Sequence, residues 1–366
     1  MRSKTLVALA VAAIASTAAA TYFAIVDQRL SLSDPTTGKP LFANLAGRLN
    51  DVASVTFARK DGTLTLVRTP PGWRLVEKGN YSAAFDRLRK FLVDLSESKT
   101  VEAKTSSPAV YGSLDVDDLS VPDAKGVLLT LKDSGGTTIA SLVIGKARTG
   151  RGGPSSDTTY VRRAGEAQAW LVSGRLAPEK DADRWLDRRV VDVSRERVRE
   201  VAVTLADGTK LVVRRDKPAD LDFAVADAPD DRAVKSPYER NAVGGAWEMV
   251  ELDDVRPLGD FKFADDAAQA EARTFDGIVL RTRFAEIDGK PWIHLSARFE
   301  APGELPTGEA LGAAKLKNAE DAAKEVADIN SRLAAWLYRV PDYKLEPMRR
   351  KLDDLFEPAE IGRAHV

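Results

Sequence analysis

The strongest constraint on this chain is a phrase that occurs twice, at a constant offset of 146 residues (Val198 against Val52). Val52, Val55 and Phe57 lead to Asp61-Gly62 and a β-prone run over 63–68. Val198, Val201 and Val203 lead to Asp207-Gly208 and then Thr209, Val212, Val213 and Arg214. Asp-Gly between alternating apolar residues marks a hairpin, because glycine accepts the positive φ that tight hairpin turns need. Two such hairpins in one phase predict two copies of a single module. Two unrelated hairpins are the alternative. With 366 residues the chain has room for about two domains.

Each copy carries further elements. In the first, 72–75 reads as a third strand. A helix is predicted over 81–95, with Phe85, Leu88, Leu92 and Leu95 on one face. Hairpins follow at 126–144, around Ser134-Gly135-Gly136, and at 159–172, around Gly165. The second copy begins near Asp183, holds a helix around 238–249, and ends with strands over 275–287 and 292–299 joined by Asp288-Gly289. Such short turns exclude crossover connections, so the sheets are expected to be antiparallel. The fold class is α+β, with helices packed on one sheet face. The predicted organisation is an anchor or signal peptide over 1–26 and a tether with a short helix over 27–50. Module 1 spans 51–175, module 2 spans 176–300, and a helical tail spans 301–360. In the tail, Ala322, Val326, Ile329, Leu333 and Leu337 recur at helical spacing, and Val340-Pro341 ends that helix. The stripe is expected to pack on module 2. A surface for a partner helix is the other option.

The N-terminal segment bears on location. Arg2 and Lys4 precede an apolar run from Leu6 to Val26 with no acidic residue before Asp27. At 1.5 Å per residue this run can cross a hydrocarbon core of about 30 Å. The positive end should stay in the cytoplasm, which puts the bulk of the chain after Asp27 outside. The expectation is a single-pass membrane anchor meeting the lipid bilayer through residues 6–26. A cleaved signal peptide, cut after Ala18-Ala19-Ala20, is the alternative. The last six residues, IGRAHV over 361–366, match what a common sequencing adapter encodes before a stop codon. They are read as an artefact, with a genuine chain that runs past Glu360.

Composition excludes several chemistries. Lys plus Arg is 54 against 55 Asp plus Glu, so bulk charge does not point to nucleic acid. Cysteine is absent, which excludes disulfides, thiolate metal sites and a Cys nucleophile. Only His294 and His365 could serve as imidazole bases or ligands. The stretch 143–147 (Val-Ile-Gly-Lys-Ala) departs from a phosphate loop at both ends, with Ala140 for the first glycine and Ala147 for the Ser or Thr. It is expected to be a hairpin exit turn. The Arg- and Gly-rich stretch 148–154 reads as a solvated basic loop, with contact to an anionic headgroup or partner as the sharper option. His294 is expected on the more polar face of its strand, with Trp292, Ser296 and Arg298. The acidic pairs at 117–118, 230–231, 253–254, 265–266 and 353–354 do not fit a calcium loop. No catalytic, cofactor-binding or metal-ligating residue is assigned, and no cofactor is expected.

With these features laid out, the chain resembles the bacterial domain-of-unknown-function family numbered 4340 (DUF4340), from residue 6 to about 356. The features that carry the resemblance are the N-terminal anchor, Val52-x-x-Val55-x-Phe57 with Asp61-Gly62, and Gly72-Trp73. Ile144-Gly145 leading to Thr159-Tyr160-Val161, Asp276-Gly277 with Trp292, and Trp336-x-Tyr338-x-x-Pro341 complete it. These motifs are structural punctuation and define no active site. The resemblance implies an accessory subunit encoded beside an ABC-type transport system. The expected function is therefore a non-enzymatic periplasmic scaffold or binding subunit of an inner-membrane complex, with ABC permease and ATPase subunits as partners. The alternatives are a periplasmic hydrolase of envelope polymers using Asp or Glu carboxylates, and a secreted periplasmic ligand-binding protein.

Overall fold

The structure is a computed structural model that describes residues 37–357 apart from 151, 154–155, 227, 230–231 and 304–305. The expected anchor over 1–26 and the tail over 361–366 lie outside the described residues. Among the described residues no helix is long and apolar enough to cross a membrane. The chain is mixed α and β with antiparallel sheets, and it divides into two units, Met1–Asp187 and Arg188–Val366.

Among its described residues, unit 1 is built on nine strands. These are β1 (Val52–Arg59), β2 (Gly62–Thr69), β3 (Gly72–Leu75), β4 (Tyr81–Ser82), β5 (Thr100–Thr105), β6 (Val127–Asp133), β7 (Thr138–Arg148), β8 (Thr158–Arg163) and β9 (Ala169–Ser173). Their order across the sheet is β4-β3-β2-β1-β6-β7-β8-β9-β5. Helix α1 (Leu45–Arg48) precedes the sheet, and α2 (Phe85–Glu97) and α3 (Pro108–Leu114) flank β5 in sequence. Alternation along the strands buries Phe57, Leu129 and Leu142 in one cross-strand row. Over that face α2 lays Leu88, Phe91, Leu92 and Leu95. Tyr81 pairs in β4, so the helix starts at Phe85, later than predicted. Phe85 is 52 % exposed, and Phe91 takes its expected place in the core. The opposite face is covered too: Tyr111 of α3 and Val116 pack with Val143, Leu128 and Tyr160. Helices on one face only was therefore too narrow an expectation, because these second-face residues are themselves apolar and need cover.

Unit 2 contains β10 (Arg189–Val191), β11 (Val198–Thr204), β12 (Lys210–Arg214), β13 (Ala224–Val225), β14 (Val250–Glu251) and β15 (Asp254–Pro257). It continues with β16 (Gln269–Thr274), β17 (Ile278–Ile287), β18 (Lys290–Phe299) and β19 (Trp336–Arg339). Its helices are α4 (Pro237–Gly244), α5 (Ala319–Leu333) and α6 (Asp342–Met348). Strands β10 and β14 pair apart from the rest, and the main sheet runs β13-β12-β11-β16-β17-β18-β19-β15. Taken strand for strand, this is the order of unit 1 without β4. The constant sequence offset hides one difference. Ser54 faces Val67, whereas Glu200 faces Arg214, because the second hairpin loop holds one more residue.

The tail is not a separate helical segment. Helix α5 is inserted between β18 and β19, where unit 1 has only the turn from Arg163 to Ala169. It buries Ala322, Val326, Ile329 and Leu333 as the stripe predicts, and it packs on β18. Leu337 belongs to β19, which pairs with β15, so the helix ends at Leu333 and not at Val340. Asn318 caps its start by accepting from Asp321 N at 2.9 Å. The boundary between units also moves, from 175/176 to 187/188. Residues 176–187 return to unit 1: Leu176 N donates to Thr159 Oγ1 at 2.9 Å, and Asp187 N donates to Ser82 O at 2.9 Å.

Buried charges fasten α5 to its sheet. Asp276 is 0 % exposed and accepts from Arg197 Nε at 2.9 Å, Thr274 Oγ1 at 2.6 Å and Lys317 N at 2.9 Å. The same guanidinium donates to both oxygens of Glu325 on α5, at 3.1 and 2.8 Å, and Lys317 Nζ joins at 3.0 Å. Burial alone would raise the Glu325 carboxyl, but the hydrogen bonds and charge of Arg197 and Lys317 outweigh it and hold the group below its ordinary value. A carboxyl lowered by folding contributes stability that is complete above its unfolded pKa and is lost as pH falls through the folded value. Glu325→Gln should therefore flatten the decline in urea midpoint between about pH 5 and pH 2 relative to the parent chain. An unchanged slope would mean that the network carries none of the acid sensitivity.

Candidate functional site

The β17–β18 hairpin sets the geometry of the most distinctive cleft. Its turn, Asp288-Gly289, has φ of 54° and 68°, and it pairs Ile287 with Lys290. That register places Arg283 directly opposite His294 and Arg281 directly opposite Ser296. Alternation then puts these four on one sheet face, while Leu280, Thr282, Ile293 and Leu295 are buried on the other. The segment after β15 supplies Leu258, Phe261, Lys262 and Phe263 as the remaining wall. Together they enclose an open cleft of about 510 Å³.

The walls hold the polar groups in place. Phe261 and Phe263 meet edge to face, with centroids 5.1 Å apart. The Arg283 guanidinium lies 4.5 Å from the Phe263 centroid, and the His294 ring lies 5.8 Å from it. Arg283 Nη2 donates to Ala264 O at 3.2 Å, and Arg281 Nε donates to Gln269 Oε1 at 3.0 Å. His294 Nε2 lies 2.9 Å from Ala334 O, and since a carbonyl only accepts, Nε2 carries the proton. Each guanidinium is thus tethered at one end and keeps further N–H groups without a partner among the described residues.

Charge separates this cleft from two others, one in each unit. Lys262, Arg281 and Arg283 line it, and none of its lining residues is acidic. Glu271 stands opposite Arg281 across β16 and β17, but Arg273 and Arg298 take its two oxygens. Burial would raise the Glu271 carboxyl, and these arginines outweigh that and keep it below its usual range. In unit 1, a cleft of about 630 Å³ beside α2 is lined by charges that cancel: Arg87 pairs with Glu179 at 2.9 Å, and Lys90 with Asp94 at 2.7 Å. In unit 2, the cleft beside α5 holds Lys317 with Glu325 and Arg332 with Asp328 in the same way. Excess positive charge on tethered donors makes the β17–β18 cleft suited to holding an anion.

The stretches singled out in the sequence lie elsewhere. Residues 143–147 are inside β7, not in an exit turn. A Cβ on Gly145 would lie 2.2 Å from Leu114 O, so packing against α3 demands the glycine there. In the basic loop, Gly150 N donates to Asp157 Oδ1 at 3.0 Å and Arg148 Nη1 to Tyr160 Oη at 3.2 Å, while 151, 154 and 155 lie outside the described residues. Of the acidic pairs, Asp118 binds Arg162 at 2.6 Å, Asp253 binds Arg188 at 3.3 Å and Asp353 binds Arg232 at 2.5 Å. The pair 230–231 lies outside the described residues, and 265–266 is exposed. No group of three His, Asp or Glu among the described residues could hold a metal ion. His294 is on the expected polar face. The sequence expectation passes over Lys262, Arg281 and Arg283, although Arg-x-Arg facing His-x-Ser across a two-residue turn is a readable signal.

A domain of unknown function, DUF4340, matches residues 73–243. That segment, just under half of the chain, matches the DUF4340 family. The match runs from β3 to α4, so it covers parts of both units and stops short of the cleft. No curated protein and no solved structure matches the chain.

Proposed function

We propose that this protein is a non-catalytic binding or scaffold subunit of an inner-membrane complex, facing the periplasm and accessory to an ABC-type transport system. The observation that carries the reading is the open, cation-lined cleft, whose polar groups are arranged to hold a ligand. His294, the residue type that most often moves protons, spends Nε2 on a backbone carbonyl there. Among the described residues, the carboxyls that the fold shifts, at Asp61, Glu196, Asp207, Glu271 and Glu325, are all lowered. A glycosidase-type general acid needs a raised one, which weighs against the hydrolase reading. The shared strand order of the two sheets supports an origin by duplication of one module. The apolar run over 6–26 supports the membrane anchor, and the resemblance supports the transporter.

Co-purification tests the proposal. The tagged full-length chain, extracted from native membranes in mild detergent, should bring down permease and ATPase subunits in stoichiometric amounts. A chain that stays in the membrane fraction without partners would overturn the stable-complex form of the reading.

A further inference from the structure

We propose that the β17–β18 cleft is a phosphate site, which takes a phosphomonoester group and stacks or packs what that group carries against Phe261 and Leu258. This deepens the binding half of the reading above and does not depend on the transporter half. The argument begins with charge. Lys262, Arg281 and Arg283 converge on one cleft with no acidic lining residue. A carboxylate ligand would leave most of that charge uncompensated, whereas a phosphomonoester brings nearly two negative charges and three acceptor oxygens.

Donor geometry points the same way. Arg281 and Arg283 alternate on one strand face, so their guanidinia flank a common space. Arg281 is fixed through Nε to Gln269, which leaves both Nη groups, and Arg283 is fixed through Nη2 to Ala264, which leaves Nε and Nη1. A planar fork with its position already set loses little freedom on meeting a phosphoryl group. Ser296 Oγ and Lys262 Nζ have no partner among the described residues, so each can donate to a further oxygen. Ordered against Phe263, His294 completes the rim with Nδ1 as an acceptor for a ligand hydroxyl. The cleft of about 510 Å³ exceeds what a bare phosphate fills, and Phe261 and Leu258 supply an apolar wall for the remainder.

Titration calorimetry on the purified full-length chain in detergent tests the assignment, with inorganic phosphate, glycerol 3-phosphate, dihexanoyl phosphatidic acid and acetate as probes. The three phosphates should bind more tightly than acetate, and binding should weaken as salt is raised. Arg281→Ala and Lys262→Ala should each weaken phosphate binding by about tenfold or more, with an unchanged melting curve, because both side chains lie on an open face. Arg281→Lys, which keeps the charge but not the fork, should recover only part of the loss. A clear preference for the phosphatidic acid would identify a lipid headgroup as the source, and preference for glycerol 3-phosphate a soluble phosphate ester. Acetate binding equal to phosphate, or phosphate affinity untouched in both alanine variants, would overturn the proposal. Failure here with transporter subunits still co-purifying would leave the scaffold reading intact, and the reverse result would leave the phosphate site intact.

Discussion

Replacing Arg197 with methionine should cost unit 2 about 3–5 kcal/mol, the range for breaking a buried ion pair from one side. Asp276 is fully buried, and among the described residues Arg197 supplies its only charged partner, at 2.9 Å. The remaining donors, Thr274 Oγ1 and Lys317 N, are neutral and cannot compensate a full carboxylate. Glu325 would lose both guanidinium bonds and keep only Lys317 Nζ. Urea denaturation of Arg197→Met should show the loss as a shifted midpoint. The triple variant Arg197→Met, Asp276→Asn, Glu325→Gln should recover most of it, because no buried charge is then left alone. A single variant as stable as its parent would show that water reaches Asp276 and that the network is a surface feature.

Local signals in the sequence carry much of this fold. Asp288-Gly289 is a short-range hairpin code with both residues at positive φ, whereas the first hairpin turns at Lys60-Asp61 and Gly62 opens β2; in both cases the strands are where the spacing places them. The α5 stripe, Ala322 to Leu333, is correct because 3.6-residue periodicity depends only on neighbours along the helix. Non-local elements were harder to read. The strand β5 is an edge strand with two irregular steps in its pairing to β9, so it shows no clean alternation. Leu337 continues the numerical stripe of α5, yet β15 recruits it into a strand, a tertiary effect that periodicity does not contain. The hydrogen-bond partners that fix the unit boundary lie far along the chain, as with Asp187 and Ser82.

The candidate cleft divides in the same way. Its hairpin half was legible, since a two-residue turn at 288–289 forces 283 against 294 and 281 against 296. The other half, Phe261 to Phe263, comes from a segment with no regular structure, whose approach to the strand face depends on the pairing of β15 with β19. Nor could charge counting along the chain single out Arg281. The acid that neutralises its neighbours, Glu271, is across the sheet and already committed to Arg273 and Arg298.

Trp185→Ala should cost about 3–5 kcal/mol, and the loss should fall on unit 1. Trp185 is 1 % exposed, its ring stacks on Phe57 at 5.1 Å, and Phe91 meets it edge-on at 6.4 Å. Its Nε1 donates to Glu179 O at 3.1 Å, and its carbonyl accepts from Ala84 N at 2.7 Å. Truncation therefore opens a large cavity between β1 and α2 and removes a part-buried hydrogen bond as well. Hydrogen exchange read on peptides locates the damage. Peptides from 52–69 and 127–148 should lose protection, and those from 198–214 and 278–299 should keep it. Loss confined to the second set would place 176–187 in unit 2 and restore a boundary near 175. The expected pattern gives the boundary a physical meaning: a module of this kind closes only when the chain beyond its last sheet strand returns to plug its own core.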